Sequence, residues 1–196
     1  MKAITALSDW IARVERALVR AIVLALPLMI LANAAGRAMR SPIYWMDELA
    51  ILTMVWLAMI GMSLTLKTRD AVSVTMLVDV MPPPAMKAMK LVSDALVLLF
   101  GIALLVLCIR WFDPLTLMRV GFDLREFSGE TFNFMYQDTT ATLDLPKFWF
   151  WLVVPLAGLT TTVHGLSNLL QTLALPAAAH APSDMPAVLA GASGSK

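Results

Sequence analysis

Four stretches of this chain run long and apolar with almost no charge, and they constrain its fold more than anything else in it. The first is 21–35, with Arg20 and Arg37 at its edges. The second is Leu49 to Leu66, without a charge. The third is Leu91 to Ile109, broken only by Asp94. The fourth is Phe148 to Leu170 and opens on the aromatic cluster Phe148-Trp149-Phe150-Trp151. A bilayer-crossing helix needs about 20 apolar residues, and only helices and closed barrels satisfy their backbone in hydrocarbon. Only 15% of residues are charged and 59% are hydrophobic, against about 25% charged in a soluble domain. There is too little polar surface to cover a soluble fold. The expected architecture is therefore an all-α membrane protein with four transmembrane helices.

The expected spans are 17–36, 45–66, 89–110 and 148–170, in one membrane domain over 1–173. Snorkelling of Arg20 lengthens the short first run, and a kink at Pro155 is tolerable beside neighbouring helices. The loop at 111–147 is polar and too long for a simple connection, so it reads as functional, partner-facing or partly ordered. The tail at 174–196 is rich in Ala, Pro, Gly and Ser and reads as disordered. The start does not read as a cleaved signal peptide. Lys and Arg concentrate before the first span (Lys2, Arg13, Arg16, Arg20) and between the second and third (Lys67, Arg69, Lys87, Lys90). By the positive-inside rule both termini are expected in the cytoplasm.

At 100° per residue, Ile4, Leu7, Ile11, Val14 and Leu18 form an apolar stripe. Lys2, Asp9, Arg13, Arg16 and Arg20 fall opposite. This pattern predicts an N-terminal amphipathic helix lying in the membrane surface, with Arg13, Arg16 and Arg20 as its basic face; the alternative is a cytoplasmic extension of the first span that packs on a partner. Val74, Leu77, Val78 and Met81 predict a second, short interfacial helix in the cytoplasmic loop, ended by Pro82-Pro83-Pro84.

Candidate sites are few. Asp47 and Glu48 stand at the mouth of the second span, where burial in lipid is costly. Ser41-Pro42 suits an N-cap and first turn. Trp45, Glu48, Leu52, Trp56, Met59 and Ser63 share one stripe at spacings of three and four. A stripe with two Trp and a carboxylate is expected to face protein, with Glu48 pairing a cation on a partner subunit. Asp47 lies off the stripe and is expected at the solvated interface. Asp94 is expected to be interfacial too, paired to Lys90 one turn before it. Gly61 and Gly101 are expected close-packing points. His164 lacks a second axial ligand on a facing helix for haem. No metal cluster, phosphate loop or nucleophile–base pair is visible, so no cofactor and no catalysis are expected. The single Cys108 lies in an apolar run, and the net charge of +1 gives no nucleic-acid face.

The entry Trp45-x-Asp47-Glu48-Leu49, the core Trp56-Leu57-x-x-x-Gly61 and the basic exit Lys67-x-Arg69 resemble one family. It is the small membrane subunit, DctQ type, of tripartite ATP-independent periplasmic (TRAP) transporters. Met81-Pro82, Leu145-Pro146-Lys147-Phe148-Trp149 and Val154-Pro155 are similar to later family signatures. Ala71 and Thr75 stand where the family commonly has His and an acid. The resemblance covers about residues 10 to 173 in order and spacing. It implies a non-catalytic scaffold in a bacterial inner membrane. Its expected partners are a large DctM-type subunit, which carries sodium coupling and organic-acid transport, and a periplasmic substrate-binding protein. The rival readings are an anchor for another complex and a free-standing four-helix carrier.

Overall fold

The computed structural model of the chain describes residues 2–69 and 82–176. Its helices are α1 (Lys2–Ala38), α2 (Tyr44–Thr68), α3 (Pro83–Phe112), α4 (Pro114–Arg119), α5 (Leu124–Thr131), α6 (Phe148–Trp151) and α7 (Val153–Ala174). Four helical stretches are long and apolar enough to cross a membrane: α1, α2, α3 with α4, and α6 with α7. The four expected spans are therefore present, each longer than the charge pattern suggests. The expected short interfacial helix and the tail from residue 177 onward lie outside the described residues.

The N-terminal surface helix is not a separate element. Residues 2–38 form one unbroken helix, with Pro27 inside it. Its first turns pack along the bundle: Ser8, Ala12 and Glu15 are buried, and Asp9 pairs with Lys67 at the far end of α2 at 3.0 Å. The sequence pattern weighed an apolar face against a charged one. In a membrane bundle the inward face is the one with small and polar residues. Ser8, Ala12, Glu15 and Leu26 fall within about 60° of one another on the helix. Leu7, Val14 and Leu18, from the apolar stripe, stay exposed.

Helix α7 is the hub. It packs most extensively on α3, then on α2, and also on α1, while α1 and α2 form an antiparallel hairpin. The α3–α7 contact is a glycine seam. A Cβ on Gly101 would meet the Thr162 backbone nitrogen at 2.8 Å, and one on Gly165 would meet Leu98 Cα at 2.9 Å. A Cβ on Gly158 would meet the Leu105 nitrogen at 3.2 Å. Backbones approach this closely only where side chains are absent, as in other small-residue membrane interfaces. Gly101 thus does what was expected of it. Gly61 does not, since a Cβ there would meet nothing within 4 Å. Its side of α2 is turned away from α7, which packs on the Trp56 and Ser63 face.

Helix ends also depart from expectation in instructive ways. Ser41 is not the cap of α2. The helix starts at Tyr44 with Ile43 as N-cap, and the Ile43 N–H donates to Asn33 Oδ1 on α1 at 3.4 Å. Pro83 and Pro84 form the first turn of α3, where no N–H is missed, and the helix the prolines were expected to end lies outside the described residues. Pro155 cannot donate to the Trp151 carbonyl, and the helix is interrupted close by, at Leu152 between α6 and α7.

The loop over 111–147 is ordered. Asp113 caps α4 through the Thr116 N–H, and Asp123 caps α5 through those of Arg125 and Glu126. Those N–H groups, Glu126 first and Arg125 next, hold the Asp123 carboxyl below the usual aspartate range. Edge-to-face rings link Phe112 to Tyr136 and Tyr136 to Phe127. The Tyr136 hydroxyl donates to the Phe112 carbonyl at 2.7 Å, tying the loop to the end of α3. Burial and the nearby Asp113 push the Tyr136 phenol up.

The two glycines give a direct test. Gly101→Val should destabilise the detergent-solubilised protein by about 1–3 kcal/mol, as overpacking does. Gly61→Ala should change stability by no more than about 1 kcal/mol, and in the stabilising direction. Thermal unfolding of the two variants beside the parent measures both, and equal losses would contradict the seam.

Candidate functional site

The stripe on α2 faces protein, and the protein is this same chain. Ser63 is fully buried and shares a 2.7 Å hydrogen bond with Thr160 on α7. The Trp56 indole N–H donates to the Phe150 carbonyl of α6 at 3.0 Å. Leu52 and Met59 are half-buried along the same face. Trp45, at the end of the stripe, is 44% exposed.

Glu48 was expected to meet a cation on another subunit. Instead its carboxylate accepts from the backbone N–H groups of Ala141 and Thr142, each at 2.7 Å, and from the Thr142 hydroxyl at 2.6 Å. The loop turns there because Thr139 bridges Pro146 and the Thr140 N–H donates to the Leu145 carbonyl at 2.8 Å. That turn points successive N–H groups at one carboxylate. Glu48 therefore ties the long loop to α2. Asp47 is half exposed, as expected at an interface, but it is also engaged: Arg37 and Asn33 of α1 both donate to its oxygens. The pair thus divides its work, Asp47 holding α1 and Glu48 holding the loop.

At the opposite end of the bundle a second polar cluster forms around α7. Asp94 is 4% exposed and is enclosed between helices, close to the end of α2 and the end of α7. Its carboxylate accepts from Arg69 at 2.7 Å and from the Thr172 hydroxyl at 2.5 Å. These bonds to Arg69 and Thr172 hold it across three helices. Arg69 terminates α2 in a left-handed conformation and also donates to the Asn168 carbonyl at 3.0 Å. The Asn168 amide in turn caps α2 by donating to the carbonyls of Leu66 and Lys67, each at 3.2 Å. Lys87 donates to the Leu175 carbonyl at 2.7 Å and so closes the end of α7.

One turn further in, His164 is completely buried. Its Nδ1 lies 2.8 Å from the Ser8 hydroxyl and its Nε2 lies 3.1 Å from Glu15 Oε2. A proton on Nε2 lets it donate to Glu15 and lets Ser8 donate to Nδ1, so both ring nitrogens have a partner. Both partners come from α1, two turns apart. The imidazole thereby pins the N-terminal segment to α7. The sequence reading named His164 but missed Ser8, Glu15, Asn168 and Thr172. The signal was there: His164, Asn168 and Thr172 recur every four residues on an apolar helix, and such a stripe must face protein in lipid.

Chemically, this arrangement joins helices and does not present reactive groups. The Ser8–His164–Glu15 trio is buried between α1 and α7. Among the described residues no group of three His, Cys, Asp or Glu side chains could hold a metal. Among the described residues, the Thr161 hydroxyl is the one buried side-chain polar atom without a partner. An open groove lined by Leu18, Ile22, Thr53, Trp56, Trp149 and Phe150 runs between α1, α2 and α6, and its walls are largely apolar.

Two variants separate the two clusters. His164→Ala leaves Glu15 buried without its partner and should cost about 1–3 kcal/mol, more if the pair is charged. The N-terminal segment should then become the first site of limited proteolysis. Glu48→Ala should instead raise hydrogen exchange at residues 140–145 and leave the N-terminal segment protected. If both variants loosen the same segment, the assignment of separate roles fails.

The sequence pattern of the DctQ component of tripartite ATP-independent periplasmic transporters matches residues 26–175. Comparison with curated proteins gave no match. The matched region takes in all of α2, α3, α6 and α7, and with them the Glu48 and Asp94 ties, while Ser8, Glu15 and the basic face of α1 lie before it. On that match over most of its length, this chain belongs to the DctQ family, the small membrane subunits of TRAP transporters.

Proposed function

We propose that this chain is a non-catalytic scaffold of a sodium-coupled importer of organic acids. On this reading it braces a large DctM-type permease subunit in a bacterial inner membrane, with both termini in the cytoplasm. The end carrying Glu48, α4 and α5 then faces the periplasm and helps dock the substrate-binding protein. Sodium and substrate sites belong to the large subunit, and this chain needs no cofactor.

One observation carries the reading. Nearly every polar side chain buried between the spans is bonded to another helix of the same chain: Glu15, His164, Ser63, Asp94, Asn168 and Thr172 all are. A carrier needs polar groups that can exchange partners with a substrate or ion at mid-depth. A brace needs the reverse, a fixed interior with apolar faces left outward. Such faces exist on α1 (Leu24, Leu28, Leu31) and on α3 (Val92, Leu96, Leu99, Leu107). The loop supports docking in the same way, since Glu48 and the Tyr136 ring cluster hold it ready-formed.

Proteoliposomes separate this proposal from a free-standing carrier. This chain alone should give no sodium-driven uptake of an organic acid, and uptake should appear only with the large subunit and the binding protein present. Uptake by this chain alone would overturn the proposal.

A further inference from the structure

Three arginines lie on the outward side of α1. Arg13, Arg16 and Arg20 are all exposed. They fall within about 60° of one another on the helix, roughly 110° round from the buried stripe of Ser8, Ala12 and Glu15. As a surface helix this face would have rested among headgroups. The structure denies it that position, because α1 runs beside α2 from Asp9 against Lys67 to Asn33 against Asp47. Leu18 and Ile22, which bracket Arg20, share a groove with Thr53 and Trp56. Both of those lie well inside the uncharged run of α2 from Leu49 to Leu66. Arg20 therefore stands at a depth where α2 carries no charge at all, on a face the chain does not cover.

The chain's own acids cannot neutralise it. The two carboxylates on this half of α1 are turned elsewhere, Asp9 to Lys67 and Glu15 to His164. Among the described residues no carboxylate pairs with Arg13 or Arg20, and Arg16 donates from Nε to the Ala12 carbonyl of its own helix at 3.1 Å. A charged side chain at membrane depth faces a water-filled cavity, a protein partner or the headgroups. Arg suits a carboxylate in particular, since its planar fork binds both oxygens at once.

We propose that Arg20, with Arg16 and Arg13, forms a cationic seam on α1 that docks a carboxylate-bearing transmembrane helix of a partner protein. The seam rests on the reading of this chain as a brace, and it would be one of the places where the large subunit is held. Beside Arg20 on the same side of α1 lie exposed Val23 and Leu24, three and four residues on, so the ion pair would be flanked by apolar contact. The seam lies before the region that matches the family pattern, so it is a feature of this chain's own N-terminal segment.

A photo-crosslinking amino acid at Ala17 or Leu24 tests this in native membranes while all three arginines stay in place. Irradiation should give an adduct with a second membrane protein. Arg20→Glu in the same background should reduce that adduct by at least about tenfold, and Arg20→Lys should retain most of it, as expected for a pair that loses its partner. Adducts with lipid alone would mean that the seam rests among headgroups, and would overturn the proposal. A protein adduct indifferent to Arg20→Glu would overturn it too. If the captured protein is a membrane protein other than a large permease, the seam stands and the brace reading falls.

Discussion

The structure depends on one constraint: between lipid-exposed helices, each polar group must find its partner on another helix. Lipid tails are as apolar as Leu, so burying Leu against Leu gains little over leaving it in the bilayer. What holds such a bundle is close backbone contact and interhelical hydrogen bonds. Helix α7 supplies both. Its buried residues cover about half of its circumference. Gly158 and Gly165 lie at one edge, against α3, and Thr160 lies at the other, against α2. His164 and Asn168 fill the arc between and reach α1 and the end of α2. The result is inverted relative to a soluble bundle, with small and polar residues inside and Leu, Val and Phe outside.

The ties gather at the two ends of the spans. At one end Asp47 joins α1 to α2, and Glu48 joins α2 to the loop. At the other, Arg69 joins α2 to α3 and α7, and His164 joins α7 to α1. Helix α3 has fewer polar ties, and its hold on α7 comes chiefly from the glycine seam. Its far side is a continuous apolar face, from Val92 through Leu107. A helix fixed on one side by backbone-to-backbone contact and left bare on the other is stiff without being enclosed. That combination suits an element that must carry a neighbour.

Much of this was legible in the sequence. The uncharged runs marked the four spans because hydrocarbon tolerates little else over that length, and they erred only in being too short. The runs end at charges, whereas the helices continue through Lys67, which pairs with Asp9 of α1, and through the exposed Arg110. On the α2 stripe, Trp56 and Ser63 bond to other helices of this chain. Which protein it faces was not legible, because helical spacing gives a direction on one helix and says nothing of what lies there. Glu48 shows the limit clearly. Its partners are backbone N–H groups of residues 141 and 142, which no side-chain pattern encodes. The order of the loop was hidden for a related reason: a polar composition looks loose until the Asp113 and Asp123 caps and the rings about Tyr136 are seen together.

The N-terminal segment carries the hardest lesson, since its sequence supports two folds equally well. A stripe of Ile4, Leu7, Ile11, Val14 and Leu18 opposite Arg and Lys is what a helix in the membrane surface would show. The same residues serve a helix packed upright, provided a second, quieter stripe of Ser8, Ala12 and Glu15 can be satisfied. Hydrophobicity cannot choose between them, because lipid receives the apolar stripe in either case. The choice is made by a single residue 149 positions away from Glu15. The His164 imidazole, buried on α7, needs a partner at each ring nitrogen, and α1 offers Ser8 and Glu15 two turns apart on one face. Once that site exists, laying the segment in the membrane surface would leave His164 and Glu15 unsatisfied, at a cost of about 1–3 kcal/mol for each group. The upright packing is thus dictated by the buried polar trio, and the outward arginines are its consequence.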